Sequence, residues 1–115
     1  MNRSGHSLEK IAESIISLKQ VRKADLEFGD YVLITTRNST YSVCVLDNNS
    51  YLVSGGWFDR KGLSPIKATI AGCTWGGSVI KVDTLAACGL RLEFGNRVVT
   101  TSIRNVCVIR GSSKN

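Results

Sequence analysis

Apolar residues recur at helical spacing near the start of the chain. Ser7 is a residue type that favours the N-cap of a helix, and Glu9 places negative charge in the first turn, where the helix dipole favours it. The positions that follow the i, i+3, i+4 spacing of one apolar stripe are Leu8, Ile11, Ala12, Ile15, Ile16 and Leu18. This pattern predicts an amphipathic α-helix over about residues 7–22.

From residue 31 onward the period of the apolar positions changes to two, which is typical of β-strands. β-Branched and aromatic residues, which strands favour, fill these segments. The strand-like segments are YVLITT (31–36), YSVCVL (41–46), YLVS (51–54), KATIAGCTW (67–75), SVIKV (78–82), LRLEF (90–94), RVVTT (97–101) and NVCVI (105–109). The sequence therefore predicts an antiparallel β region over about residues 31–110.

These elements predict a single domain over residues 1–115, mainly β and α+β by element count, with a loose tail over 111–115. Short strands with tight turns favour a small antiparallel β-barrel or two packed sheets of about six to eight strands. The segment LEFGDYVLI (26–34) resembles the Gly-Asp start of a strand in SH3-like and translation-factor-type barrels. The likeness covers these nine residues and identifies no family.

Two predicted hairpins have defined consequences for side-chain placement. A two-residue loop at Gly95–Asn96 pairs Leu92 with Val99 on one apolar face. The hairpin around the turn RNST has apolar residues on both faces, with Leu33 and Cys44 on the outer one. We expect the predicted helix to cover that outer face, or alternatively to cap one end of a barrel or to join a partner chain.

The composition is that of a soluble globular protein, with 43% hydrophobic and 21% charged residues. No stretch approaches the roughly 18 consecutive apolar residues that a membrane span needs. The first residues lack the apolar core of a signal peptide. We therefore expect a cytoplasmic protein that does not bind membranes.

Histidine and cysteine, the residue types that most often carry catalysis or metal binding, are sparse. The cysteines at positions 44, 73, 88 and 107 form no Cys-x-x-Cys pair and have no neighbouring histidine. We interpret them as buried reduced thiols and predict no metal and no cofactor, although the sequence leaves disulfide pairings open. The sole histidine, His6, lies before the predicted helix, and Cys88 is the cysteine outside a clean strand. No catalytic residue is predicted, and a protein that is not an enzyme is favoured.

The connector between the predicted helix and the first predicted strand carries the carboxylates Asp25, Glu27 and Asp30. They are candidates for holding a cation or for acid–base work. The favoured interpretation is a solvated connector in which Asp30 makes turn hydrogen bonds.

The net charge of +6 lies entirely in residues 31–115. Residues 1–30 hold five basic and five acidic groups, whereas residues 31–115 hold ten basic and four acidic groups. An anionic partner would therefore meet the second region. A net charge of this size also serves solubility alone.

The loop GGWFDRKGLSP (55–65) carries the principal candidate site. Trp57 can stack on a base while Arg60 and Lys61 meet phosphates. In the competing interpretation Trp57 or Phe58 plugs the core. The candidate nucleic-acid or ligand-binding residues are Arg37, Trp57, Phe58, Arg60, Lys61, Lys67, Trp75 and Lys81. A shared Thr-Thr…Val-Cys-Val pattern in residues 34–46 and 99–109 is interpreted as coincidence.

Three functional interpretations follow. The favoured one is a non-catalytic binding or interaction module whose partner is a protein, including a second copy of the chain. The first alternative is a small nucleic-acid-binding barrel, which clustering of the candidate basic residues on one face would favour. The second alternative is a small-ligand binder or enzyme with a site near Trp57, Trp75 and Cys88.

Overall fold

The computed structural model describes residues 15–75 and 79–111. The strands are β1 (Ile15–Leu18), β2 (Gln20–Arg22), β3 (Tyr31–Thr36), β4 (Thr40–Val45), β5 (Tyr51–Gly55), β6 (Ile66–Ala68), β7 (Ile70–Thr74), β8 (Ile80–Lys81), β9 (Thr84–Ala87), β10 (Arg91–Phe94) and β11 (Val99–Ile109). One short helix, α1 (Gly56–Arg60), and a 3-10 turn (Lys23–Asp25) complete these elements. None of the helical segments in the described ranges is long and apolar enough to span a membrane.

The strands form one large and one small antiparallel sheet. The order in the large sheet is β6-β5-β4-β3-β11-β10-β7-β8, with β1 added to β11, and β2 pairs with β9 in the small sheet. The predicted mainly β class is confirmed. Of the two predicted arrangements, a small barrel or two packed sheets, the barrel is wrong, because β6 and β8 stand at opposite ends of the strand order and do not pair with each other.

Strand β11 joins the two halves of the large sheet. Its first part pairs with β10, and its second part pairs with β3 along the other edge. Beyond the end of β10, residues 106–109 of β11 also pair with β1. A bulge at Arg104 interrupts the pairing of β11 with β3, since the register shifts between Ile103 and Asn105.

The predicted N-terminal helix over residues 7–22 is wrong where the structure describes it, because residues 15–18 and 20–22 are strands. Residues 7–14 of that prediction lie outside the described residues. The edge of β11 beyond β10 offers backbone partners, and Ile15 to Leu18 pair there with Ile109 to Val106. β-Branched residues such as Ile15 and Val21 fit a strand at least as well as a helix, so tertiary pairing decides between the two.

The core lies on the inner face of the large sheet. Strands β3 and β4 alternate buried and less buried residues along their length, as their period of two predicts. The aromatic rings of Phe58 and Phe94 pack edge to face with centroids 4.8 Å apart, and Tyr41 lies 5.6 Å from Phe94. Phe58 is 1% exposed, so α1 is anchored to the core by this ring.

The hairpin between β10 and β11 differs from prediction by one residue. The N–H of Arg97 donates to the carbonyl of Phe94, and the N–H of Phe94 donates to the carbonyl of Val98. Arg97 has φ +74°, the left-handed conformation that closes a three-residue hairpin loop with a bulge. Val99 therefore pairs with Glu93 rather than with Leu92, and Val99 faces outward with 42% exposure.

The β3–β4 hairpin keeps the predicted faces, although its register moves by two residues. Val32 pairs with Val43 on the buried face, while Leu33 and Cys44 are half-buried on the outer face. A shift of two leaves every side chain on its original face. The predicted cover for the outer face includes residues 7–14, which lie outside the described range.

Asp30 ties the segment before β3 to the segment after β11. Its carboxylate accepts hydrogen bonds from the N–H groups of Glu27 and Gly111 and from Nη1 of Arg110, at 2.9, 3.0 and 2.8 Å. Burial acts to raise the pKa of Asp30, but these donors outweigh it and hold the pKa below its usual value. Gly111, in the predicted loose tail, is therefore tied down, and residues 112–115 lie outside the described residues.

Candidate ligand-binding cleft

The turn between β3 and β4 forms the first wall of a small cleft. The hydroxyl of Thr36 accepts hydrogen bonds from the N–H groups of Asn38 and Ser39 and donates to the carbonyl of Ser39. Such side-chain bonds to the backbone fix a turn of this length. The side chains of Asn38 and Ser39 are thereby placed at the rim of the cleft.

Helix α1 forms the second wall. Gly55 and Gly56 have φ +105° and +47°, and a Cβ on Gly56 would collide with the ring of Tyr41. Asp59 Oδ1 accepts a hydrogen bond from the N–H of Gly55 at 3.0 Å. With Phe58 held in the core, α1 presents Trp57 and Arg60 to the cleft.

The first residues of β11, together with Val98 before them, form the third wall. Thr100 Oγ1 accepts a hydrogen bond from the N–H of Leu92 at 3.1 Å and donates to the carbonyl of Thr101 at 2.7 Å. Thr101 Oγ1 is different, because it is buried and has no hydrogen-bond partner among the described residues. Two neighbouring threonines in one strand thus have opposite hydrogen-bonding states.

These three walls enclose a volume of about 100 Å³, which we call the Trp57 cleft. Its polar lining consists of Thr36, Asn38, Ser39, Tyr41, Arg60, Thr100 and Thr101, and its apolar lining of Trp57, Val98 and Val99. Drug-sized ligands fill about 300–1,000 Å³, so the cleft accommodates one small group rather than a whole ligand. No carboxylate belongs to this lining, within the part of the chain that the structure describes.

Arg60 is the cation of the Trp57 cleft. Its Nη1 donates to Ser39 Oγ at 3.4 Å, and the side chain forms no ion pair with a described carboxylate. Asp59, the adjacent acid, is held at the N–H of Gly55. The guanidinium therefore retains donors for a further acceptor, since it has five N–H groups.

The candidate residues from the sequence fall into four places. Trp57, Arg60, Lys61 and Arg37 lie at or beside the cleft, with Lys61 Nζ 5.9 Å from the Trp57 ring centroid and Arg37 in the Thr36–Ser39 turn. Phe58 is in the core and is not accessible to a ligand.

The other candidates lie elsewhere. Lys67 is on β6, in a different hollow with Phe28 and Asp47. Trp75 is 62% exposed with Lys81 Nζ 5.9 Å from its ring, and it does not line the Trp57 cleft. The candidate basic residues are thus clustered only in part.

Sequence reasoning missed the hydroxyl groups of the cleft, on Thr36, Ser39, Tyr41 and Thr101. A signal for two of them was present in the repeated Thr-Thr pairs at 35–36 and 100–101. Both pairs contribute to the cleft, because β3 and β11 are neighbours in the sheet.

The thiols lie away from the cleft. All four cysteines are free, and burial raises the pKa of the Cys73 thiol to about 11. Cys88 Sγ is 3.5 Å from the carbonyl oxygen of Arg104 and does not line the cleft. Within residues 15–75 and 79–111, no three His, Cys, Asp or Glu side chains come together as a metal site. His6 lies outside those residues.

The fold and the cleft define an antiparallel β protein with a small, polar, cationic cleft at one end of its large sheet. Comparison of the chain with known protein families, with curated proteins and with solved structures finds no match.

Proposed function

We propose that the protein is a non-catalytic binding module that holds one anionic group of its ligand in the Trp57 cleft. The observation that carries this proposal is the buried hydroxyl of Thr101 in the wall of the cleft, which has no hydrogen-bond partner within residues 15–75 and 79–111. An unsatisfied buried hydroxyl costs a fold about 1–3 kcal/mol. Because Oγ1 is itself covered, a ligand oxygen reaches it only when neighbouring side chains of the lining shift, and a hydrogen bond formed there removes this penalty.

The charge of the cleft favours an anion. Arg60 has no carboxylate partner among the described residues, and guanidinium groups bind phosphate and carboxylate oxygens in pairs. The net charge of +6 adds long-range attraction. We assign no catalytic step, because Cys88 is outside the lining of the cleft.

Titration with tripolyphosphate, a small polyanion, tests this proposal. A Trp75→Phe background leaves Trp57 as the sole tryptophan, so its emission reports binding. We expect saturable binding that weakens at least tenfold in Arg60→Gln and Thr101→Val, since a hydrogen bond to a charged group is worth about 1.5–3 kcal/mol. Lys67→Gln removes the same charge outside the cleft and is the matched control. Equal losses in Arg60→Gln and Lys67→Gln contradict the proposal.

A second candidate function is self-association through the outer face of β3, β4 and β5. Tyr31 pairs with Cys44, which in turn pairs with Leu52. These three residues are uncharged, with Tyr31 44% and Leu52 38% exposed, and Lys67 on β6 continues the row. Two copies that each carry +6 repel, so an uncharged face is where they approach at least cost. Sedimentation velocity over a range of concentrations tests this, with Leu52→Lys expected to remove any dimer. A monomer at all concentrations contradicts it.

A further inference from the structure

We infer that the ligand of the Trp57 cleft is single-stranded nucleic acid, with one phosphodiester inside the cleft and adjacent ones at its rim. This inference rests on the proposed function and names its ligand class. A phosphodiester has two non-bridging oxygens, which suit the paired N–H donors of the Arg60 guanidinium in the lining of the cleft. The small volume of the cleft suits a group of this size.

The rim of the cleft carries further positive charge. Arg37, Lys61 and Arg97 are exposed, and each lies next in sequence to a lining residue or to Arg60. Two acids are near, Asp59 beside Arg60 and Glu93 opposite Val99. With Arg60, four cations surround the cleft against two acids, and this excess of positive charge favours a ligand with repeated negative charge over an isolated anion.

Trp57 provides a surface for a base. Its ring is partly exposed and is fixed by Phe58, whose ring meets it edge-on at 5.2 Å and 87°. A fixed aromatic ring beside a phosphate site is the arrangement by which proteins stack unpaired bases. An acidic peptide would use the cations of the rim, but it has no base to place against the indole.

A duplex fits this site poorly. Its bases are stacked within the helix and are not free to reach Trp57. Helix α1 has only five residues and is packed against the core through Phe58, so it does not project into a groove. We therefore expect single strands to bind better than duplexes.

The experiment measures anisotropy of labelled oligonucleotides of about 12 nucleotides, single-stranded and as duplexes, with poly-glutamate and tripolyphosphate as competitors. We expect single strands to bind at least tenfold more tightly than duplexes, with a log–log salt slope of about −0.7 per phosphate contact. Arg37→Gln and Arg97→Gln should each make that slope shallower by about one contact. Lys67→Gln, matched in charge change, should leave it unaltered. Trp57→Leu should weaken binding by about 5- to 150-fold, the range for one stacked base.

Circular dichroism and urea unfolding of each variant establish that it is folded. Equal affinity for duplexes and single strands, or a Trp57→Leu variant that binds like the parent, overturns the inference. Binding of tripolyphosphate or poly-glutamate that depends on Arg60 and Thr101, without oligonucleotide binding, overturns the inference but leaves the proposed function standing. Absence of binding by all these anions overturns both.

Discussion

Replacing Thr101 by Val separates the stability of the fold from the function of the cleft. Valine has the shape of threonine and the same preference for strands, so the packing of β11 is preserved. The change removes a buried hydroxyl that has no partner in the part of the chain that the structure describes. Because such a group costs about 1–3 kcal/mol, we expect the free energy of unfolding to rise by about 1 kcal/mol. The melting temperature should then rise by about 4 °C for a domain of this size.

Thr100→Val is the matched control, one residue away in the same strand. Its hydroxyl links the N–H of Leu92 to the carbonyl of Thr101, so its removal leaves a buried donor without an acceptor. We expect this variant to lose about 1–3 kcal/mol of unfolding free energy. The two substitutions are chemically identical and should have opposite signs.

Urea unfolding followed by tryptophan emission measures both effects, and anion titration of the same samples measures binding. The expected result for Thr101→Val is a more stable protein that binds its anion at least tenfold more weakly. A Thr101→Val protein that is destabilised as much as Thr100→Val would refute the reasoning, because the hydroxyl would then have a partner in the folded protein.

Three further predictions concern the fold around the cleft. Because the pKa of Asp30 is lowered, its carboxylate stabilises the fold above the ordinary pKa of 3.8, and this stabilisation is lost as pH falls through the folded pKa. Asp30→Asn should lower the free energy of unfolding by about 3 kcal/mol at pH 7 and make that free energy, measured by urea unfolding, depend less on pH in the acid range. An unchanged dependence on acid pH contradicts this. Phe58→Ala should cost about 3–5 kcal/mol by urea unfolding, since the ring is 1% exposed, and a cost below 1 kcal/mol would mean that it is not an anchor. Arg97→Gly should raise the melting temperature, because glycine adopts φ +74° without the roughly 1 kcal/mol penalty of other residues, and a lower melting temperature contradicts this.

The strands that were predicted correctly are those whose pattern is local. In β3 and β4 the alternation of Val32, Ile34 and Val43 with less buried residues is enough to define the inner face, even though the register moved by two. A period of two survives such a shift. The open sheet could not be predicted, because closure depends on whether β6 and β8 meet, and no local pattern encodes that contact.

The incorrect predictions concern elements whose structure depends on residues that are distant in the sequence. Ile15, Ile16 and Leu18 satisfy a helical stripe and a strand equally well, and the free edge of β11 selects the strand. At the β10–β11 hairpin, Arg97 takes a left-handed conformation that its residue type does not signal. The hydroxyl of Thr101 was missed because its hydrogen bonding depends on how the β3–β4 turn, α1 and β11 pack together. The sequence did indicate Trp57 and Arg60 as candidates, since both are prominent in one long loop.

Strand β11 also has a consequence for how the chain is synthesised. It is the last of the described strands to leave the ribosome, yet it lies between β3 and β10 in the sheet. Until it arrives, both of those neighbours have a free edge that can pair with another chain. A nascent chain that pauses after β10 therefore holds two incomplete half-sheets, each open to aggregation, and insertion of β11 closes both edges at once.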